Sequence, residues 1–155
     1  MRVGTLCSGS DIAVLALRDI FGYYEGRHDM QANLPEHTYS CELVDYKQAW
    51  ILKHFAPKLL FDNVVTLGLD FKGFDLISEE DKRLSAVDGL IAGFECDSIS
   101  GLNADAANNR DAVITGDGKT GSTAKATLAI VADTLPAWVI LEKVRNLRTK
   151  GPDGK

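Results

Sequence analysis

Short apolar runs alternate with stretches of helical period along this chain. Arg2-Val3-Gly4-Thr5-Leu6-Cys7 is short and β-prone, and Ser8-Gly9-Ser10 cuts it. Over residues 11–21, Ile12, Leu15, Ala16 and Ile20 recur close to the helical period, with Ser10 or Asp11 placed to cap the helix. Residues 22–37 are rich in glycine, proline and polar side chains and read as a loop. The pattern then recurs. Residues 38–43 are strand-like, and residues 45–55, with Ala49, Trp50, Leu52 and Phe55, read as a helix that must end before Pro57. A weak strand follows at Val64-Val65, and the charged cluster Glu79-Glu80-Asp81-Lys82-Arg83 reads as a solvated turn or helix face. Residues 87–92 are nearly all apolar, as a strand buried on both faces is. Residues 98–120 are too rich in Gly, Asn and Asp for a core element, and loops of such length are uncommon unless functional or disordered. Ala126, Ile130 and Val131 restore a helix over residues 123–134. Pro136 stops it, and Trp138-Val139-Ile140-Leu141 makes a further buried strand that ends at Glu142.

Strands alternating with helices predict an α/β fold built on parallel strands, with right-handed crossovers. In such open sheets ligands bind outside the carboxyl ends of the strands, where strand order reverses. The predicted ends bring Ser8-Gly9-Ser10, Glu42, Cys96 and Glu142 to one rim. Glycine allows a ligand close to the backbone, an acid after the second strand can accept from ribose hydroxyls, and a thiol with an acid can do covalent and proton chemistry.

The bulk numbers narrow this picture. With 155 residues, 45% hydrophobic and 25% charged, the chain is ordinary for a single domain over residues 1–155. Three scattered cysteines make neither a disulfide framework nor a zinc site, and His28, His37 and His54 have no metal-ligand spacing, so no metal is expected. The first residues lack a secretory signal, and no run approaches the roughly 18 apolar residues that span a bilayer. The expectation is a soluble, intracellular protein in a reducing compartment. A net charge of −5 argues against a nucleic-acid surface spread over the whole chain. Lys143, Arg145, Arg148, Lys150 and Lys155, against Asp153 alone, leave either a local basic edge or a solvated tail. Cys7 and Cys41, inside apolar strand patterns, read as core residues, as do Trp50 and Trp138. Residues 116–123, GDGKTGST, resemble the end of a phosphate-binding loop. Val113 stands where its upstream glycine should fall, so the segment reads as a Gly-rich loop able to close over a substrate, with Arg110, Lys119 and Lys125 meeting phosphates.

Five segments carry a family resemblance. LCSGSDIAVLAL resembles the first motif of the DNA cytosine-5 methyltransferases, and SCELVDY the second, with Glu42 at the acid that holds the ribose of S-adenosylmethionine. FDNV is similar to FGDV, whose acid meets the adenine amino group. GFECDSIS resembles the nucleophile motif GFPCQxFS, and LEKVRNL resembles ENVxxL, whose Glu assists at the target base. The five occur in family order across nearly the whole chain. The resemblance implies a Rossmann-like methyltransferase fold, a mostly parallel sheet with helices on both faces, lacking the last strands and the target-recognition domain. It implies transfer of a methyl group from S-adenosylmethionine to carbon 5 of cytosine in DNA, through attack by Cys96 on a flipped-out base assisted by Glu142. Leu6, Ser8, Gly9, Ser10, Glu42, Leu43, Asn63 and Val64 would hold the cofactor. DNA is the implied partner, with a further domain or chain expected to help bind it, and the location is the nucleus in a eukaryote or otherwise the cytoplasm and nucleoid.

The chain departs from the family pattern at several of these positions. Glu95 replaces Pro and Asp97 replaces Gln around Cys96, and two carboxylates beside a thiol oppose its thiolate. Lys143 replaces Asn and could compensate as a cation. Asp11 and Ile12 replace glycines, which places an acid near the methionine moiety, and Asn63 keeps an amide where the family has a charge. A non-catalytic module of the same fold, binding cofactor or nucleic acid, is the alternative.

Overall fold

The computed structural model describes residues 1–7, 9–28, 34–106, 108–109 and 111–143. Ser8, Arg110 and the basic residues Arg145, Arg148, Lys150 and Lys155 lie outside the described residues, as does the end of the LEKVRNL segment. The described residues form one seven-stranded sheet of β1 (Arg2–Leu6), β2 (Glu36–Cys41), β3 (Leu59–Phe61), β4 (Lys72–Asp75), β5 (Glu80–Arg83), β6 (Gly89–Ala92) and β7 (Trp138–Leu141), in the order β5-β4-β3-β2-β1-β6-β7. Contacts from β3 through β2, β1 and β6 to β7 are parallel, and β4 and β5 add an antiparallel edge. The chain winds outward from β1 to β3 and then returns to the other side of β1 for β6. Strand order therefore reverses at β1, in the Rossmann-like manner. Among the described residues no helix is long and apolar enough to cross a membrane.

Alternation along the strands explains the two layers of cover. Leu6, Tyr39, Cys41, Phe61, Leu90 and Ala92 pack in one cluster with Val64 and Leu67 of α3 (Val64–Asp70) and Ala126 and Ile130 of α5 (Gly118–Thr134). Their neighbours Thr5, Ser40, Leu60 and Ile91 point to the other face, and they too are buried. There α1 (Ile12–His28) and α2 (Asp45–His54) contribute Val14 and Ile51, both fully buried. Gly89 pairs with Trp138, and a Cβ there would run into the indole, which is how β7 seats against the sheet.

Several local expectations are corrected by packing. Residues 22–28 continue α1 instead of forming a loop. The buried faces of α1 and α2 differ from the predicted ones: Ile12, Leu15, Ile20, Trp50 and Leu52 are exposed, and Val14 and Ile51 are buried. Both helices are apolar on more than one side, so periodicity alone did not select the stripe that meets the sheet. Val64-Val65 opens α3 and is not a strand, because Asn63 caps a helix by accepting the Val65 N–H at 2.9 Å. The charged cluster is β5, an exposed edge strand whose charges keep that edge in water. The long polar segment holds a 3-10 turn (Asp97–Ile99), the short α4 (Ala112–Thr115) and the first turn of α5. GDGKTGST is thus mainly a helix start, and Gly121 is tight against Ala112 and Gly116, where a Cβ would not fit.

Candidate active site

The parallel ladder continues one residue beyond each of four strands. Cys7 N donates to Cys41 O at 2.8 Å, Glu42 N to Phe61 O at 3.0 Å, Gly93 N to Leu6 O at 3.0 Å and Glu142 N to Ala92 O at 2.9 Å. Glu42, Cys7, Gly93 and Glu142 therefore stand side by side on the rim at the reversal of strand order. A Cβ on Gly93 would lie 3.3 Å from the Cys7 carbonyl and 3.6 Å from Glu142 Oε2, so the missing side chain leaves room for the Glu142 carboxylate over the end of β6. Glu142 is exposed.

A cavity of about 390 Å³ opens at this rim. Glu42, Leu43, Asn63, Val64 and Val65 line one side, Gly93, Glu95 and Asp97 another, and Lys119, Ser122 and Thr123 of α5 a third. Glu42 is buried, and its two oxygens accept the Gly9 N–H at 3.0 Å and the Val44 N–H at 3.1 Å. It thus ties the loop after β1 to the start of α2, with lone pairs left for a ligand. Gly9 and Ser10 line an adjoining depression of about 420 Å³ with Tyr46, Lys47 and Trp50. Leu6 is fully buried in the core and lines neither space, since its side chain points to the α3 and α5 layer. Six of the seven predicted cofactor residues that are described, Gly9, Ser10, Glu42, Leu43, Asn63 and Val64, thus border these two spaces, and Leu6 does not.

Cys96 sits at the start of the 3-10 turn, half-buried. Its Sγ donates to the Phe94 carbonyl at 3.2 Å. Lys143, directly after Glu142, donates to the same carbonyl and to Cys96 Sγ at 3.3 Å. Burial pushes the Lys143 ammonium below its ordinary range, and Cys96, Glu142 and Cys7 oppose that shift. Burial likewise raises Glu95, helped by Asp97 and opposed by Lys119. The other two thiols are inert by environment. Burial, then Glu42, pushes Cys7 up to about 12, and burial raises Cys41 well above the usual thiol value.

Other sequence expectations change here. Asp11 does not face the site: it is fully buried, with φ of 54°, and accepts the Ser40 hydroxyl at 2.5 Å beneath the loop. Trp50 is a surface residue, stacked on His54 with ring centroids 3.9 Å apart, at the edge of the second depression. Lys125 donates to Thr115 O, which fixes it to α4, and Lys119 faces the cavity. Lys47, which borders both spaces, was missed. Its one signal is its place in the first turn of the helix that follows Glu42. Among the described residues no group of three or more His, Cys, Asp or Glu could hold a metal ion.

No family model matches the chain. Over 146 residues, 94% of its length, it is 36% identical to the DNA (cytosine-5-)-methyltransferase DMT5 of Cryptococcus neoformans var. grubii, and it spans 6% of the length of that protein. With motif-like segments in family order on a Rossmann-like sheet, this is a divergent DNA cytosine-5 methyltransferase-like chain.

Proposed function

We propose that this chain takes part in methylating carbon 5 of cytosine in DNA. The observation that carries the reading is the meeting of two strand ends, where Lys143, next to Glu142, bonds the Cys96 sulfur, and where Glu95 and Asp97, the neighbours of Cys96, line a cavity bordered by Glu42 and Asn63. The cavity fits S-adenosylmethionine: a buried carboxylate suits the ribose hydroxyls, the Asn63 amide suits adenine, and Leu43, Val64 and Val65 offer apolar contact for the purine. When bound, that cofactor supplies an electrophilic methyl group on sulfur. Gly9 and Ser10 bring backbone and hydroxyl groups to the neighbouring depression, where the rest of the molecule can extend.

Cys96 as thiolate attacks carbon 6 of a cytosine turned out of the duplex. Sulfur and carbon 6 form a bond, and the electron pair of the 5,6 double bond makes carbon 5 nucleophilic. Glu142 hydrogen-bonds the ring nitrogen through a shared proton and stabilises the charge that develops there. After carbon 5 gains the methyl group, it loses its proton to a base, the double bond re-forms and the Cys96 sulfur leaves. DNA is the partner, in the nucleus of a eukaryotic cell or the nucleoid of a bacterium, with strand recognition supplied by a further domain or chain.

Incubation of the chain with S-adenosylmethionine and a duplex carrying 5-fluorocytosine should give a denaturation-resistant protein–DNA adduct, because the fluorine cannot leave carbon 5 as a proton does. Cys96→Ser should give none. The absence of any adduct with the wild-type chain, alone and with added DNA-binding partner domain, would remove the catalytic reading. The two acids that border the thiol favour a second one, a cofactor-binding module without chemistry. Calorimetric binding of S-adenosylmethionine without adduct formation would select it.

A further inference from the structure

Lys143 and Cys96 are 47 residues apart in sequence, yet one carbonyl oxygen joins them. The Lys143 ammonium donates both to Phe94 O and to Cys96 Sγ, and it lies over the Phe94 ring, 2.9 Å from the centroid. The Cys96 thiol donates to that same Phe94 oxygen. Loss of the thiol proton removes this last bond, but the carbonyl keeps its partner because Lys143 already donates to it. The ammonium then faces a sulfur that carries a full charge at hydrogen-bonding distance. The arrangement therefore suits the thiolate better than the thiol.

We propose that Lys143 is a positioning residue that holds Cys96 as a thiolate through an ammonium–thiolate ion pair braced on the Phe94 carbonyl. Its part in methyl transfer rests on the reading of Cys96 as the nucleophile, whereas the ion pair does not. Only the S–H bond breaks: the proton passes to water and Lys143 stays protonated. The charged and titratable groups around the pair are Glu95 and Asp97 beside the sulfur, and Glu142 and Cys7 near the ammonium. Glu95 and Asp97 repel a negative sulfur, and the Lys143 ammonium, in hydrogen-bonding contact with it at 3.3 Å, attracts it. The asparagine expected at this position from the family resemblance has no charge to offer.

The test follows iodoacetamide alkylation of Cys96, resolved from Cys7 and Cys41 by peptide mass spectrometry, in the full chain. At pH 7 the wild type should react about tenfold or more faster than Lys143→Gln, with the gap closing by pH 10, and Lys143→Arg should restore most of the rate. Equal rates in the wild type and Lys143→Gln overturn the proposal, and so does an arginine variant as slow as the glutamine one, since packing and not charge would then be at work. Should Lys143→Gln not fold, the wild type decides: at pH 6.5 its Cys96 should react faster than the same cysteine in the guanidinium-unfolded chain, and a slower reaction overturns the pair. Fast, lysine-dependent alkylation without a 5-fluorocytosine adduct would leave the ion pair standing while the methylation reading falls.

Discussion

His37 shows how one side chain beneath the site sets a pH limit. Its Nε2 lies 2.8 Å from the Ser40 hydroxyl and 3.6 Å from the buried Asp11 carboxylate, and its Nδ1 has no partner among the described residues. Burial holds the imidazole below its ordinary value, Asp11 pulls the other way and Arg18 adds to the lowering. With the folded value depressed, the unfolded chain takes up the proton first. Stability is therefore complete above the ordinary histidine value of about 6.5 and is lost as pH falls below it. Urea midpoints should drop between pH 7.5 and pH 5.5, and His37→Gln should flatten that slope. The raised Glu95 acts with the opposite sign, but it is common to both chains and cancels in the comparison. At this scale the sequence brought Glu42 and Asn63 to the border of one cavity, because a family pattern fixes residue type at fixed spacing. It was misleading for Asp11, whose neighbour in space, Ser40, is 29 positions away.

At the scale of elements, Asp75 fastens the antiparallel edge to the parallel core. Its Oδ1 accepts the Leu60 N–H at 2.8 Å and the Ile77 N–H at 3.3 Å, and its Oδ2 accepts the Ser78 N–H and hydroxyl at 2.9 and 2.7 Å. Burial works to raise this carboxyl, but the hydrogen bonds from Leu60, Ser78 and Ile77 outweigh it and hold it below the usual value. Asp75→Ala leaves the buried Leu60 N–H unsatisfied and should cost about 1–3 kcal/mol in chemical denaturation. The same depressed value means that this contribution is present above the ordinary aspartate range and fades as pH falls through it. In the helical layer, α3 crosses α5 at Gly68, where a Cβ would lie 2.6 Å from the Ala126 Cβ. Gly68→Val should lower stability by about 1–3 kcal/mol through overpacking, which thermal unfolding would register. The periodicity located α5, β1, β2 and β6 because those segments meet the core on one well-defined stripe or on both faces; it also located β7, but that strand is the sheet's edge, with Ile140 and Leu141 exposed, and not the buried strand its apolar run predicts. It passed over β3, β4 and β5, which are three or four residues long and depend on pairing for their existence.

For the whole molecule, the consequence is a cleft assembled from distant parts of the chain. If its cavity holds S-adenosylmethionine as proposed, ligand at about 100 times Kd should stabilise the fold by about 2.7 kcal/mol, a rise in Tm of roughly 5–10 °C for a domain of this size. Glu42→Gln should reduce that rise, with the unliganded Tm measured alongside to separate binding from the lost ties to Gly9 and Val44. What the sequence determined by itself is the alternation of strands and helices and the residue types at each strand end, since local periodicity and fixed motif spacing are written along the chain. Only the tertiary structure decided which helix faces are buried, that Asp11 turns away from the site, and that Lys143 reaches the sulfur of Cys96. Those outcomes depend on strand order and on through-space packing between segments tens of residues apart, and no local pattern encodes such distances.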